Sequence, residues 1–543
     1  MQLVEQGRLD LDRDVNEYLT QFEIPDAFDA PITMTHLLTH TAGFEDGGVG
    51  YLIGKDPEGL GDMADFLEKY MPARVRAPGS YSSYSNYSTT LAGLIVSNIS
   101  GMPFDDYIER HIFEPLGMTR STFREPLPEH LAPDMSAGFA RRGGDFIDAG
   151  FEYIHNWGPA GSLSATAADM ARFMIAHLQY GEYNGARILE EGTARRMQTR
   201  LFGHHPALPG MAHGFYHEIH NGRQTFGHGG DTVAFHSEMT LAPEENVGIY
   251  VSFNAPDGGV AARQVAPAFF DEYFPAEDDP HPSPPRSEAE AEGAAAEPDP
   301  ALAKYVGAYR ANRRSYTKWE KVFALLGADT QVTQSPDGGL VVAPLFLSDA
   351  QRVVAVGDGV FRSVDDPDMR IAFEEGADGA VRTLFVSGLP FMAYDRLGPL
   401  EQAQTHQLAL GLCLVIFAGV ALGSLWGLPK WLAMSGGEKI ARLAVFGAAA
   451  LNLAFVAGFA AVIAAGINTL LFDLPDSLSM ILTLPVAAAA FAALGFVMVI
   501  PAWASGYWSL FGRIRYTLVA AAGALFALGL NYWNLLGPWY LPA

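Results

Sequence analysis

The sequence predicts a protein with three structural parts: a mixed domain of helices and strands, a small antiparallel β domain, and a region of four membrane-spanning helices. Three observations carry this prediction. Helix-like and strand-like segments alternate with glycine and proline turns over residues 1–277, as in an α/β or α+β domain. Short β-type runs fill residues 301–400, and long uncharged apolar runs fill residues 405–543.

The charge and the cysteine content narrow the classes of function. The chain has 543 residues with 61 acidic and 35 basic side chains, so its formal charge of −26 disfavours nucleic acid as a partner. The single cysteine, Cys413, lies in an apolar run, which excludes an intrachain disulfide bond and a cysteine-based zinc site. We expect the protein to use no cofactor.

The first polar segment of the mixed domain is Ile32–Phe44, with the sequence ITMTHLLTHTAGF. It predicts a short helix that Thr33 or Thr35 caps and that a glycine turn ends. His36 and His40 are interpreted as structural residues that hydrogen-bond around this turn.

The second polar segment is Pro78–Gly101, with the sequence PGSYSSYSNYSTTLAGLIVSNISG. Its Tyr84 and Asn86 come directly before a helix whose apolar side chains recur at helical spacing. Gly101 closes that helix, because glycine adopts the left-handed conformation found after many helix ends.

The third segment, Phe226–Asn254, begins with the sequence FGHGGDTVAFH and predicts a β-hairpin. A glycine-rich strand comes first, and an apolar strand follows a turn at Pro243, Glu244 and Glu245. Taken singly, none of the three segments is specific for a function.

In this order the segments resemble the serine β-lactamase and penicillin-binding-protein superfamily, and most closely its class C-like branch of esterases, D-amino-acid peptidases and β-lactamase-related proteins. The phrases that carry the likeness are VEQGRLDLD, LLTHTAGF, Tyr-Ser-Asn, EPLGM, PAGSLSATAADMARFM and FGHGG, spread over about residues 1–275. The resemblance implies an α+β, β-lactamase/transpeptidase-like domain, in which an antiparallel sheet flanked by helices lies beside a helical subdomain. It also implies a site where these two parts meet.

The resemblance implies catalytic roles for three side chains. Tyr84 would relay protons to and from a serine if nearby cations lowered the pKa of its phenol. The carboxamide of Asn86 would orient a lysine and a substrate amide. His228 stands where many relatives carry the lysine of a Lys-Thr-Gly strand; it would assist the tyrosine or contact a substrate carboxylate, and it would be only partly charged at neutral pH.

The same strand supplies the implied substrate-binding and oxyanion residues. Gly229 and Gly230 would leave room for a substrate backbone beside the strand edge, and the backbone N–H of Asp231 would form half of an oxyanion hole. In the alternative interpretation Tyr84 is part of a helix entry and His228 is an ordinary strand histidine.

The first motif of the family, Ser-x-x-Lys, does not occur in the mixed domain. The chain contains one such pattern, Ser315 to Lys318, which follows the other motifs in the wrong order and is interpreted as a coincidence. We expect the nucleophilic serine, its lysine and an export signal to lie before Met1, on a helix that continues into MQLVEQGRLD. The chain as given is therefore expected to be inactive.

Two further patterns invite other chemistry. A nucleophile elbow is absent; its nearest match, around Ser162 and Ser164, is interpreted as the cap region of an amphipathic helix. His213 and His217 have the spacing of metal ligands on a helix, but the surrounding GFYHEIHNG favours a strand and a turn, so we expect no metal site.

Beyond the mixed domain the composition changes twice before the membrane region. Residues 278–300 are rich in proline, alanine and glutamate and predict an extended linker. Residues 301–400 predict a small antiparallel barrel or sandwich with an accessory role.

The last part of the sequence predicts four transmembrane helices with tryptophans at their ends. The runs lie near residues 408–428, 443–467, 478–500 and 516–536, and each is long enough to cross a bilayer. Flanking tryptophans resemble interfacial anchors: Trp426, Trp431, Trp503, Trp508, Trp533 and Trp539. Few polar residues interrupt the runs, which favours an anchor over a transporter.

Charged residues in the connecting loops predict the orientation of the helices. The first and third loops carry lysines and arginines, and the second loop carries only Asp473 and Asp476. By the positive-inside rule the first and third loops face the cytoplasm, and the domains before the first helix face outward.

These observations support one leading function and two others. The leading hypothesis is a membrane-anchored extracytoplasmic serine hydrolase that acts on an ester, an amide or a D-amino-acid peptide through an acyl-enzyme. Its partners would be a small-molecule or peptide substrate and the membrane. The alternatives are a non-catalytic cell-surface binding or regulatory protein that retains the cleft, and a four-helix membrane protein whose outer domain senses ligands.

Overall fold

The computed structural model describes residues 1–276, 299–336, 338–345, 350–431 and 434–542. The chain divides into two compact units. The first consists of Met1–Asp46, Leu52–Arg313 and Thr330–Arg396, and the second of Gly47–Tyr51, Arg314–Asp329 and Leu397–Ala543. The predicted linker at residues 278–300 lies almost entirely outside the described residues.

Several helices of the first unit pack around one buried helix, α4, and others pack against the sheet. In chain order they are α1 (Gln2–Glu5), α2 (Met34–Leu38), α3 (Met63–Lys69), α4 (Asn86–Ser100), α5 (Phe104–Ile108), α6 (Glu114–Leu116), α7 (Gly158–Gly161), α8 (Ala167–Leu178), α9 (Glu191–Gln198) and α10 (Gly258–Tyr273). Leu91 and Ile95 of α4 are fully buried, so this helix forms the centre of the helical part.

The two predicted helices of the motif segments are confirmed, and their caps explain where they begin. The Thr33 side chain caps α2, and the Ser85 hydroxyl accepts a hydrogen bond from the Ser88 N–H at the start of α4. Gly101 ends α4 with φ of 75°, a conformation that costs glycine little. At α8 the cap is Thr166, so the expected role of Ser162 and Ser164 as its cap is wrong.

A four-stranded antiparallel sheet packs against α8. The strands of this sheet and of two small two-stranded sheets (β1–β2 and β3–β4) are β1 (Phe139–Arg142), β2 (Asp145–Asp148), β3 (Glu182–Tyr183), β4 (Ala186–Arg187), β5 (Tyr216–His220), β6 (Arg223–Asp231), β7 (His236–Ala242) and β8 (Val247–Phe253). In the large sheet the order is β5-β6-β7-β8, and β7 and β8 form a hairpin at the predicted turn. The glycine-rich segment, expected as the first strand of this hairpin, is instead a separate strand, β6, which pairs with β7. Leu241 of β7 packs with Met170 and Met174 of α8, because the sheet turns its apolar face toward that helix.

Eight further strands of the first unit form a closed antiparallel barrel, which decides between the predicted barrel and sandwich. They are β9 (Gly307–Ala311), β10 (Thr330–Gln334), β11 (Leu340–Ala343), β12 (Gln351–Gly357), β13 (Val360–Ser363), β14 (Arg370–Glu375), β15 (Val381–Val386) and β16 (Tyr394–Arg396). The barrel closes because β16 pairs with β9. Tyr309, Phe361 and Leu384 fill its interior and are almost fully buried.

The second unit contains the four long apolar helices that the sequence predicts. Its helices are α11 (Phe323–Leu326), α12 (Ala403–Trp431), α13 (Gly436–Ala464), α14 (Ile467–Phe472), α15 (Asp476–Val497), α16 (Val499–Ala504) and α17 (Leu510–Tyr532). The segments long and apolar enough to cross a membrane are Ala403–Ser424, Gly436–Ala464, Asp476–Ala504 and Leu510–Tyr532. Their length and composition indicate membrane association.

The tryptophans near these helices differ in burial. Trp503 and Trp539 are 43% and 63% exposed, as expected of interfacial anchors. Trp533 is fully buried, so its expected role as an anchor is wrong, and it packs in the core of the second unit. The side chains of Trp426 and Trp431 lie outside the described residues.

Candidate active site

The fold brings the second and third motif segments together. Tyr84 lies just before α4 and His228 lies in β6, and their ring centroids are 5.8 Å apart. Both side chains are half-buried. Asn86 is the first residue of α4 and follows Tyr84 by two positions in the chain. The side chains of Tyr84 and His228 therefore meet where the helical part adjoins the sheet, which is the place where the family resemblance implies a site.

The segment that carries Tyr84 is held in place by hydrogen bonds from several parts of the unit. Its side chains and backbone groups bond distant partners as follows: the Tyr81 hydroxyl to Glu374 Oε2 at 2.5 Å, Ser82 N to His204 Nε2 at 3.0 Å, Ser82 Oγ to Thr39 O at 2.8 Å, Ser83 N to His40 O at 2.8 Å, and Tyr84 N to Phe391 O at 2.9 Å. A backbone so completely bonded positions the Tyr84 side chain without help from a helix or a strand.

The two histidines of the first motif segment are structural, as predicted. His36 completes a capping box on α2, with its Nδ1 3.1 Å from Thr33 N. His40 Nδ1 accepts a hydrogen bond from Ser85 N at 3.2 Å, and its ring lies 4.2 Å from that of Tyr84. Burial, with smaller contributions from His228 and Arg313, lowers the pKa of His40 to about 3, so the acceptor form persists at neutral pH.

The end of β6 offers an unpaired edge although β6 is an internal strand. Strand β5 pairs with β6 only as far as Gly227, whereas β7 pairs with it as far as Asp231. The Gly229 N–H points toward the β5 side, where it donates to the Tyr216 hydroxyl at 2.5 Å. Because alternate residues of a strand direct their N–H groups to the same side, the Asp231 N–H also faces this open edge. A backbone N–H must face open space in this way if it is to donate a hydrogen bond to the oxyanion of a substrate.

Gly229 is required by the packing around it. A Cβ atom there would lie 2.7 Å from Glu238 Oε2 and 3.1 Å from the Tyr216 hydroxyl. At Gly230 a Cβ atom would meet nothing within 4 Å, so that residue is exposed beside open space. The Asp231 carboxylate contacts His236 Nδ1 at 2.5 Å and Arg263 Nη2 at 2.9 Å, which holds the strand end against α10.

Electrostatics at the site differ from the expectation for Tyr84. Burial raises the pKa of Tyr84, and the nearby Arg313 guanidinium opposes this rise only in part. Among the described residues, therefore, the condition for a lowered Tyr84 pKa is not met. Burial also lowers the pKa of His228, with a smaller lowering from Arg313 and a partial offset from the hydrogen bond to Gly229 O. His228 is thus neutral at pH 7 and does not replace the charge of a lysine.

The sequence did not indicate three residues that the barrel contributes to this site. The Arg313 Cζ lies 4.7 Å from the Tyr84 ring centroid, and the Phe391 ring lies 6.0 Å from Tyr84 and 5.4 Å from Tyr216. Asn312, almost fully buried, donates from Nδ2 to Ser82 O at 2.9 Å. A local sequence pattern could not have identified these three residues, because each lies more than two hundred residues from Tyr84 along the chain.

The other candidate residues take structural places. Ser315 Oγ accepts a hydrogen bond from Lys318 N at 3.2 Å, and this pair belongs to the second unit, whereas Tyr84 and His228 belong to the first. His217 lies in a strand, as predicted, with its Nε2 2.8 Å from Gln198 O. Among residues 1–276 and the other described ranges, no group of three or more potential ligands is placed to hold a metal ion.

Together, the antiparallel sheet beside a helical part, the Tyr-Ser-Asn helix entry and the His-Gly-Gly strand end define the class of β-lactamase/transpeptidase-like domains. A sequence model of the family described as Beta-lactamase matches residues 1–270. The matched residues, just under half of the 543, therefore form a domain of the beta-lactamase family.

Curated relatives of the same family share about this part of the chain. Penicillin-binding protein 4 of Amycolatopsis lactamdurans is 29% identical over 292 residues, which cover 50% of this chain and 71% of that protein. The D-alanyl-D-alanine-carboxypeptidase/endopeptidase AmpH of Escherichia coli (strain K12) is 27% identical over 270 residues, which cover 46% of this chain and 66% of that protein.

Solved structures resemble a longer part of the chain. A crystal structure of SurE aligns over 73% of this chain and 84% of its own, with 20% identity and a TM-score of 0.47. The octameric penicillin-binding protein homologue from Pyrococcus abyssi aligns over 73% of this chain and 84% of its own, with 19% identity and a TM-score of 0.42.

Proposed function

We propose that the protein is a membrane-anchored, extracytoplasmic serine hydrolase that cleaves an amide or ester bond through an acyl-enzyme. The observation that carries this proposal is the contact between Tyr84 and His228 beside the open end of β6. An acyl transfer needs a nucleophile, a proton relay and an oxyanion hole. The described residues fit the second and third of these requirements.

Residues 1–270 contain no Ser-x-x-Lys, so the proposal places the nucleophile and its lysine outside the 543 residues. Tyr84, protonated at neutral pH because burial raises its pKa, is suited to donate a proton to a leaving group. A lysine ammonium beside it would lower the pKa of the phenol, so that the tyrosine would lose its proton and, as the phenolate, accept the proton of the serine. Asn86 would hold that lysine and a substrate amide from the start of α4.

The substrate would lie along β6 and present its carbonyl to the strand end. The Asp231 N–H faces the unpaired edge and would stabilise the oxyanion together with the N–H of the nucleophilic serine. Gly230 leaves space for the substrate backbone, which resembles the addition of a strand to a sheet edge. Relatives named for D-alanyl-D-alanine carboxypeptidase activity support a peptide that ends in D-amino acids.

The placement outside the cytoplasm rests on the charges that flank the connections between the helices. Lys430, Lys439 and Arg442 lie in the helix ends that flank the first connection, and Arg513 and Arg515 lie in the first turns of the fourth membrane helix, beside the third connection. The second connection, residues 465–475, carries no basic residue. The positive-inside rule then directs the segment before the first membrane helix outward. Such a location would give the site access to peptides outside the cytoplasm.

The test is labelling of the N-terminally extended gene product with a fluorescent penicillin and a fluorophosphonate. We expect a label on a serine that precedes Met1, located by mass spectrometry, and no label on the 543-residue chain. The extended protein should also release D-alanine from a D-alanyl-D-alanine peptide. Absence of both label and hydrolysis in folded, extended protein would reject the hydrolase.

A pair of tyrosine variants tests the role of Tyr84. Tyr84→Phe should lower the turnover of the extended protein by about 10²-fold or more, because the proton relay is lost. Tyr87→Phe is the matched control: its hydroxyl is buried without a hydrogen-bond partner among the described residues, so its removal should leave turnover unchanged. Equal turnover of the two variants would contradict the role of Tyr84.

A non-catalytic binding protein is the second candidate. One observation favours it: the Ser-x-x-Lys motif is missing from residues 1–270 although the cleft residues are present. If the extended protein binds a D-alanyl-D-alanine peptide without labelling or hydrolysis, this second function is the one supported.

A further inference from the structure

We propose that the second unit holds a binding site for the headgroup of an anionic phospholipid, built by Arg442, Arg513 and Arg515. The site lies at the end of the helix bundle where α12 connects to α13 and α16 connects to α17. It does not depend on the proposed function, because it concerns the lipid around the apolar helices and not the candidate active site.

The first step is the charge balance of the helix region. Residues 402–472 and 477–543 together contain five basic residues: Lys430, Lys439, Arg442, Arg513 and Arg515. The same two ranges contain one acidic residue, Glu438, and its Oε2 accepts the Ser435 N–H at 2.8 Å in the capping box of α13. The chain therefore compensates little of the positive charge at this end of the bundle, which favours an anionic partner.

The second step is the position of the three arginines on different helices. Arg442 lies in the second turn of α13, and Arg513 and Arg515 lie in the first turns of α17. The Arg515 side chain reaches α12, where its Nη2 lies 3.5 Å from the position that a Cβ atom would take at Gly423. Arg442 is close enough to Arg515 for the two charges to repel each other, and an anion bound between them would remove this repulsion.

The third step is the lack of a protein partner for these cations. Within the part of the chain that the structure describes, no carboxylate lies within 4.0 Å of the Arg442, Arg513 or Arg515 guanidinium nitrogens. The Arg513 Nε is buried and has no hydrogen-bond partner among the same residues. A phosphate has several acceptor oxygens and binds guanidinium groups through charge-assisted hydrogen bonds, so it can satisfy donors that these residues leave unpaired.

The fourth step is the aromatic surface beside the arginines. The Arg513 Cζ lies 5.2 Å from the ring centroid of Trp503, whose ring is partly exposed. The Arg442 Cζ lies 5.8 Å from the ring centroid of Trp508, and that ring packs 5.2 Å from Tyr516. Tryptophan rings at the ends of membrane helices favour the headgroup level of a bilayer. The guanidinium groups beside them are therefore at the depth of the lipid phosphates.

The fifth step is the choice of ligand. An anionic phospholipid such as phosphatidylglycerol offers a phosphate to the planar guanidinium groups, and its acyl chains can lie along apolar side chains beside them. Leu422, Leu510 and Phe511 are such side chains, and each is more than half exposed. Phosphatidylcholine has the same phosphate, but its ammonium group would be repelled by the arginines. Free phosphate has no acyl chain to bury.

The experiment measures lipid binding to the 543-residue chain in detergent by native mass spectrometry. With equal concentrations of phosphatidylglycerol and phosphatidylcholine, we expect about fivefold or more phosphatidylglycerol to be bound. Equal occupancy by the two lipids overturns the proposal. Ammonium phosphate in place of ammonium acetate at the same ionic strength should not displace phosphatidylglycerol. Displacement would identify a site for a free anion, which also overturns the proposal.

Two variants and a control identify the arginines as the cause. Arg442→Gln and Arg515→Gln should each lower the occupancy by phosphatidylglycerol about fivefold or more and leave that by phosphatidylcholine unchanged. Arg195→Gln is the matched control, because Arg195 of α9 is more than half exposed, pairs with Glu191 and belongs to the first unit. An equal loss in the control would attribute binding to the net charge of the protein and overturn the proposal.

Thermal unfolding separates loss of the site from loss of the fold. Because Arg442 and Arg515 repel each other, Arg515→Gln without lipid should unfold at no lower temperature than the wild type. Added phosphatidylglycerol should raise the unfolding temperature of the wild type and not that of Arg515→Gln, since a ligand stabilises only a protein that binds it. A variant that unfolds at a lower temperature without lipid and gains as much from the lipid as the wild type would assign Arg515 a structural role and overturn the proposal.

Discussion

At the residue scale, the site contains a carboxyl group in an unusual environment. Glu238 of β7 faces Gly229 across the strand pair, and its Oε1 accepts a hydrogen bond from the Tyr216 hydroxyl at 3.2 Å. Burial, and then the nearby charge of Glu218, raises the pKa of Glu238 to about 8. The Tyr216 pKa is raised well above its ordinary range, chiefly by burial, so this pair stays protonated at neutral pH.

The raised pKa of Glu238 predicts a pH dependence of stability. In the unfolded chain this carboxyl ionises near its ordinary pKa of 4.5, but in the folded chain it holds its proton to about pH 8. The folded state therefore binds the extra proton between these values, and the free energy of unfolding should fall as pH rises from about 4.5 to 8. Each unit of pKa difference corresponds to about 1.4 kcal/mol.

Glu238→Gln is the variant that tests this dependence, because glutamine keeps the shape and does not titrate. Thermal unfolding of the wild type and the variant should diverge between pH 5 and 8, within the window set by the Glu238 pKa, and the variant should be the more stable at pH 8. Parallel curves across this range would show that Glu238 ionises normally.

At the scale of elements, the site depends on how the segment before α4 is joined to the barrel. The bonds to this segment come from the loop after α2, from the loop that carries His204, and from the barrel strands and loops. The contact is also apolar: the His204 and Phe385 rings stack at 4.7 Å, and Leu208 packs with Phe385 and Ala393. Two regions far apart in sequence thus share one core.

Asn312→Ala should loosen this junction locally. The substitution leaves Ser82 O and Ala393 N buried without their partner, which costs about 1–3 kcal/mol. Hydrogen exchange at the Tyr84 amide should become faster by about 10–100-fold, because its bond to Phe391 O opens more often. Gln334→Ala, on the exposed face of the barrel, should not change this exchange. An unchanged rate in Asn312→Ala would show that the junction is held elsewhere.

At the scale of the whole molecule, one chain contains the first unit, with the candidate active site, and the second unit, with the apolar helices. The apolar helices pack around buried residues such as Phe417, Phe455 and Phe526, so they form a bundle with its own core. Cys413, the single cysteine of the sequence, is buried in that bundle. This leaves the rest of the chain free of thiols and makes the proposed topology easy to test.

Single cysteines at exposed helix starts should report the orientation of the helices. In intact cells a membrane-impermeant maleimide should label Ser477→Cys, in the first turn of the third span, and should not label Gly436→Cys, at the start of the second span. The unsubstituted protein, with its buried Cys413, is the control and should remain unlabelled. The opposite pattern of labels would place the first unit in the cytoplasm.

The sequence by itself determined the local elements and the family. The caps of α2 and α4, the β7–β8 hairpin and the four apolar helices follow from side-chain chemistry and spacing within a few turns of chain, so local patterns suffice to predict them. The motif order also identified Tyr84, Asn86 and His228 as candidates, because such motifs combine turns and helix starts with reactive side chains.

Only the tertiary structure decided what surrounds these candidates. Closure of the barrel, the stop of β5 at the point where β6 continues, and the arrival of Arg313 and Phe391 beside Tyr84 all depend on contacts between residues remote in sequence. The charge states changed for the same reason: burial, which no spacing reveals, raises the pKa of Tyr84 and lowers that of His228. Local sequence patterns identify the candidate side chains. Tertiary packing determines which residues surround them, how far they are exposed to solvent and which protonation state they adopt.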